Sequence, residues 1–203
     1  MPLLSAEPSI YPETLFTAPL QPADGSARWW VLYTHARAEK SLARRLFGRR
    51  IAFYLPLYKS TWAQNGRGRA SYLPLFSGYV FLFGGDDARV AALETNLITT
   101  TIPVADQERL FDDLVRVERL AGGPVPVAPE RGFSPGEPVA IESGPFRGMT
   151  GKVVRQGNQT RFVVEIEFLS QGVSVEFEGW LLRPLAPSPA DGAAARDGES
   201  HSR

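Results

Sequence analysis

Two glutamates, Glu165 and Glu167, flank Ile166 in the run RFVVEIEF. Side chains alternate between the faces of a strand, so both carboxylates fall on one side. Paired carboxylates are the machinery of glycoside hydrolysis. That use needs an apolar pocket to raise one pKa, whereas alternation of acids with Val164 and Ile166 is the pattern of a wetted sheet face. The segment ESGPFRGMTGKVV, Glu142 to Val154, holds Gly144, Gly148 and Gly151, whose amides could cradle a phosphate. It lacks the Lys-Ser/Thr ending of a P-loop, and no helical pattern follows it. His35 and His201 are the only histidines and cysteine is absent, which removes disulfides, thiolate zinc sites, histidine pairs and cysteine nucleophiles together. The expectation is a non-enzymatic protein with no metal and no cofactor.

Binding chemistry is better represented. The formal net charge of the 203 residues is +0, yet residues 28 to 69 hold ten Arg or Lys and a single acid, Glu39. A basic region is thus concealed in a neutral average. The N-terminal MPLLSAEPSIYPETLF has no basic n-region and is broken by prolines and acids, a poor signal peptide. No stretch approaches the roughly 18 apolar residues of a membrane span, so a cytoplasmic protein without a membrane role is expected.

The elements that would position these residues can be read along the chain. Residues 1–26 and 186–203 are rich in small, polar and turn-forming types and are expected to be disordered tails. A first unit, 27–121, opens with RWWVLY (Arg28–Tyr33) as a buried strand. A helix over Ala36–Arg50 then carries Ala38, Leu42 and Leu46 on one stripe and Arg37, Lys40, Arg44 and Arg45 on the other side. Strands are predicted at Phe53–Tyr58 and Leu73–Phe83, with QNGRGR (Gln64–Arg69) as a hairpin tip or loop between them. A short helix at Ala88–Glu94 and a strand at Leu97–Val104 follow. Asp106 is placed to cap a last helix whose Leu110, Leu114, Val117 and Leu120 face the core. The order predicts an α+β unit with helices against an antiparallel sheet. Residues 122–132, AGGPVPVAPERG in part, read as a linker of glycines and spaced prolines. A second unit, 133–185, has only short β-patterned runs with Gly157-Asn158 and Ser170–Gly172 as turns, which predicts a small β-barrel. Gly144, Gly148 and Gly151 then serve a tight loop and a bent strand.

Together these runs resemble a known family. FSPGEPVAIESGPFRGMTGKVV looks like a KOW motif (Gly144, Pro145, Phe146, Gly148, Gly151) opening an SH3-like barrel. RWWVLYTHARAEKSLARRL followed by LPLFSGYVFLF resembles the N-terminal domain of NusG-type transcription factors. The likeness spans residues 28–185 in the right order. Ser77 departs from it, standing where the family usually has proline. The wording around Trp30 to Lys40 is similar to specialised paralogues of the RfaH or UpxY kind. ITTTIP superficially resembles an RfaH element but falls on a strand, so that role is not carried over.

The resemblance implies a monomeric bacterial elongation and antitermination factor gripping the clamp helices of the largest RNA polymerase subunit. Trp29, Trp30, Tyr33, Phe76, Tyr79 and Phe81 correspond to the family's gripping surface, with strand alternation leaving open which of them are core. The basic residues His35, Arg37, Lys40, Arg44 and Arg45, extended by Arg67 and Arg69, lie where family members approach non-template DNA. In the second unit Phe168, Leu169, Ser170 and Gln171 match a loop that recruits a ribosomal protein or a termination helicase. The alternative is a ribosomal or general RNA-binding KOW protein.

Overall fold

The computed structural model describes residues 8–17, 26–64, 67–131, 136–143, 145–156, 159–166, 169, 171–176 and 182–185. A five-stranded antiparallel sheet runs in the order β1 (Ile10–Tyr11), β3 (Ala52–Tyr54), β6 (Tyr79–Gly84), β2 (Arg28–Thr34), β7 (Ile98–Pro103). Alternation divides its strands cleanly between two faces. Trp30, Leu32, Phe53, Val80 and Leu82 point to one side, where α1 (Glu39–Gly48) contributes Leu42 and Leu46 and α2 (Asp86–Leu93) contributes Ala92. Trp29, Val31, Tyr54 and Phe81 point to the other, under Leu110, Leu114, Val117 and Leu120 of α3 (Gln107–Ala121). The expected cap is present: the Asp106 carboxylate accepts from the Arg109 amide at 2.9 Å. No helix among the described residues is long and apolar enough to cross a membrane.

Several boundaries differ from the sequence expectation for local reasons. The predicted strand 53–58 is split at Leu55-Pro56. Pro56 cannot donate to a ladder, and the Leu55 amide turns away to the Ser9 carbonyl at 2.6 Å. Beyond it, β4 (Leu57–Gln64) pairs with β5 (Arg67–Pro74) as a separate two-stranded ribbon. The predicted strand 73–83 breaks between β5 and β6 at a turn where Gly78 has φ +86°. α1 begins at Glu39 rather than near Ala36 because Arg37 sits at φ 61°, outside the helical region.

Residues 8–17, expected to belong to a disordered tail, are instead part of the first unit. β1 pairs with β3, Leu15 is buried, and the Phe16 ring stacks on Trp29 with centroids 5.9 Å apart. Four apolar side chains in ten residues give that segment enough surface to bury to offset its ordering entropy.

The second unit is a six-stranded antiparallel sheet. Its order is β13 (Leu182–Pro184), β9 (Glu137–Ile141), β10 (Thr150–Gln156), β11 (Gln159–Ile166), β12 (Gln171–Glu176), β8 (Val127–Arg131). The expected barrel does not close through hydrogen bonds among the described residues, where β13 and β8 stand as the two edges. β8 lies inside the stretch expected to be a linker. Its Pro129 is tolerated because an edge strand leaves one row of amides unpaired. The interior of this sheet, with Val139, Phe146, Phe162, Val164 and Val173, is continuous with the α3 face of the first unit. Phe146 reaches back to Gly123, just past α3.

Candidate functional site

The turn between β5 and β6 is held from a distance by a carboxylate. Glu39, buried in the first turn of α1, accepts from the Gly78 amide at 2.7 Å, while the Thr34 amide donates to the Gly78 carbonyl at 2.8 Å. Glu39 is the lone acid of the basic stretch, an isolation that could have marked it for a structural role and was read only as part of the charge count. A hydrogen bond to an ionised partner typically contributes about 1.5–3 kcal/mol. Glu39→Ala is therefore expected to lower the urea unfolding free energy by about that amount, because the Gly78 amide loses its acceptor. A loss under about 0.5 kcal/mol would show that water replaces the carboxylate at no cost.

This turn presents an aromatic pair. Tyr33 and Tyr79 face each other across the β2–β6 ladder, with ring centroids 5.2 Å apart, and Tyr33 keeps 40% of its surface exposed. A Cβ on Gly78 would sit 2.9 Å from the Tyr33 ring, so the bare backbone is what lets that ring lie down over the turn. Tyr79 is half-buried beside it.

The other four residues expected to grip a partner are interior in this structure. Trp30 is on the α1 and α2 face, its indole N–H donating to the Gly84 carbonyl at 3.1 Å, with the Arg28 and Arg89 guanidinium groups 4.1 and 5.2 Å from the ring centroid. Trp29 lies beneath Phe16, Phe83 and Phe111. Phe76 and Phe81 are fully buried and meet edge to face at 5.9 Å. Strand alternation alone permitted two orientations, and α3 with the N-terminal segment covers the side that the sequence left open.

Basic residues border the tyrosine pair. His35 and Arg37 are exposed in the turn leading into α1, with Arg44 and Arg45 exposed farther along it and Lys40 half-buried. The His35 Nδ1 lies 3.3 Å from the Thr99 hydroxyl on β7. Arg44 donates to the Ser41 hydroxyl at 3.1 Å. Arg67 and Arg69 belong to β5 on the separate ribbon, and their side chains are outside the described residues.

Of the loop expected to recruit a partner, Phe168 and Ser170 lie outside the described residues. Leu169 and Gln171 are half-buried and line a cleft of about 830 Å³ opposite Arg37, Lys40, Tyr58 and Ser77. The structure thus brings Leu169 and Gln171 near the start of α1. In the KOW-like segment, Gly144 lies outside the described residues, Pro145 is exposed and Phe146 is buried. Gly148, at φ +84°, donates to the Ile141 carbonyl at 2.8 Å and closes the turn. Gly151 lies where β10 approaches β11 too closely for any side chain.

Among the described residues, no group of three His, Asp or Glu is arranged to hold a metal ion. Glu165 is on β11 with its side chain outside the described residues, and Glu167 lies outside them altogether. What is arranged is a tyrosine pair at a pinned turn, Tyr33 exposed and Tyr79 half-buried, with basic side chains in the turn that leads into α1, a combination suited to recognition.

Residues 27–122 match the family model described as "Transcription termination factor nusG". No curated protein matches the chain.

Proposed function

From a NusG-type domain over residues 27–122, we propose that the chain is a non-enzymatic transcription factor that binds elongating RNA polymerase at the clamp helices and acts on pausing and termination. The family match supports transcription termination and elongation as the process. The observation that carries the finer reading is the Tyr33–Tyr79 pair, two large rings kept at the surface by a turn that Glu39 and Gly78 fix. Rigid aromatic groups bury much area on docking and lose little rotamer freedom, which is why they anchor interfaces. A polymerase that gains contacts only when its clamp is closed is shifted towards that processive form.

The rest of the reading follows from the neighbours of this pair. His35, Arg37, Lys40, Arg44 and Arg45 attract the phosphates of the non-template strand near the bubble, a term that weakens steeply with salt. The KOW-like unit recruits a ribosomal protein or a termination helicase through residues 168–171. The protein acts in the cytoplasm as a monomer and belongs with the specialised RfaH-like or UpxY-like factors of selected operons.

The test is retention of the full chain by immobilised clamp helices. The double substitution Tyr33→Ala with Tyr79→Ala is expected to weaken binding at least tenfold, about 1.4 kcal/mol or more, in a chain that stays folded by its urea unfolding curve. Retention equal to wild type would remove the tyrosine pair from the interface. Failure of the wild type to bind, together with salt-sensitive RNA binding by the full chain, would favour the ribosomal or general RNA-binding alternative.

A further inference from the structure

Phe47, near the end of α1, is the most exposed phenylalanine among the described residues, with 50% of its surface open. The run RRLFGRR, Arg44 to Arg50, surrounds it with four arginines. Tyr11 of β1 meets the ring edge to face, with centroids 5.5 Å apart and planes at 83°, and so fixes its orientation without covering it. A Cβ on the neighbouring Gly48 would meet nothing within 4 Å, so the surface beside the ring is clear.

Cations lead along the helix to this ring. Lys40, Arg44 and Phe47 stand at i, i+4 and i+7, the spacing of a single helix stripe. Beyond the ring the helix closes with two bonds, the Ile51 amide donating to the Leu46 carbonyl at 3.0 Å and the Arg50 amide to the Phe47 carbonyl at 3.0 Å. That closure sets Arg50 at φ 57°, in the position and conformation that glycine usually fills. An arginine there carries a backbone cost, and its exposed side chain packs on nothing that would offset it. Among the described residues no carboxylate pairs with it. The helix dipole favours a cation at this end, but Arg45 in the last turn already supplies one.

We propose that Phe47 is a stacking platform for one base of single-stranded DNA, with Lys40, Arg44 and Arg50 holding the flanking phosphates. This rests on the polymerase reading, in which the basic helix meets the non-template strand, and adds to it a contact with a base. Charge complementarity selects the occupant. From Arg37 to Arg50 there are six cationic side chains and one acid, and that acid, Glu39, is buried and committed to the Gly78 amide. Such a face suits a polyanion. One flat ring among guanidinium groups is also too small an apolar area for the core of a protein interface, whereas any unpaired base can stack on it. The strand is single because a duplex keeps its base faces stacked on one another.

The test is fluorescence anisotropy of a labelled oligothymidylate of about 12 nucleotides titrated with the full chain in the absence of polymerase. Phe47→Ala is expected to weaken binding about tenfold, the loss of one stacked base. Phe47→Trp should retain it, and Phe47→Leu, which keeps apolar bulk against Tyr11, should not. An abasic strand of the same length should bind wild type and Phe47→Ala alike. Arg50→Gly should weaken binding and flatten the logarithmic salt slope by about 0.7, the share of one phosphate contact. Its urea midpoint should stay level or rise, because glycine relieves the left-handed backbone, a combination that a merely structural arginine would not give. No binding by the wild type, undiminished binding by Phe47→Ala, or Phe47→Leu binding as tightly as Phe47→Trp would overturn the assignment. So would tighter binding of oligouridylate, which makes the strand RNA, or of oligoglutamate, which makes the occupant an acidic protein segment. Failure here with clamp-helix retention intact removes only the Phe47 site, and a wild type that binds the oligonucleotide but not the clamp helices fails the polymerase reading alone.

Discussion

Replacing Gly151 with alanine is expected to cost the second unit about 2–3 kcal/mol, the upper part of the range for overpacking a filled interior. A Cβ at that position would lie 2.5 Å from the Val163 carbonyl oxygen and 2.6 Å from the Phe162 ring. The ring can shift, but the carbonyl belongs to β11 and is fixed by pairing on both sides. Gly148 supplies the contrast. It has φ +84° and open space around it, so Gly148→Ala carries only the left-handed backbone penalty, about 1–2 kcal/mol. Hydrogen exchange at the amides of residues 150–166 would rank the two variants, and the outcome that sinks this account is Gly148→Ala opening the sheet more than Gly151→Ala.

Phe81→Ala is expected to remove about 3–5 kcal/mol of stability, because a fully buried aromatic side chain leaves both its transfer energy and a cavity behind. The ring bridges Phe76 and Tyr54, with centroids 5.9 and 6.4 Å away, beneath α3. Tyr79→Ala, two positions earlier at the half-buried rim, should cost clearly less, about 1–2 kcal/mol. The two variants are therefore expected to separate the interior from the proposed docking surface: the first should lower the urea midpoint most, the second retention on clamp helices. If Phe81→Ala keeps the wild-type midpoint, α3 does not seal that face in solution.

Much of this organisation was legible in the residues. RWWVLY gave a central strand, the Leu110, Leu114, Val117 and Leu120 spacing gave α3, and Asp106 gave its cap, because each signal is local and periodic. What escaped were consequences of contacts remote in sequence. Pro56 split one predicted strand and Gly78 another, each at a residue whose backbone limits or freedom are visible only once a partner strand is assigned. The N-terminal segment read as a tail because Ile10, Tyr11, Leu15 and Phe16 have no period of their own, and they acquire meaning only against β3 and Trp29. The candidate site was half legible. Aromatic and basic residues were recognisable by type, but alternation could not say which ring a helix would cover, so Phe76, Phe81, Trp29 and Trp30 were grouped with Tyr33 and Tyr79.

The strand recovered from the apparent linker sets a leash length. Between the end of α3 at Ala121 and the start of β8 at Val127 only residues 122–126 intervene, a span of about 18 Å even when fully drawn out. With β8 zipped onto β12, the second unit is therefore kept within a short radius of α3. Unzipping β8 alone would leave the second unit in place, because its interior is still packed against α3. Edge ladder and shared core thereby brace the second unit against α3 twice over.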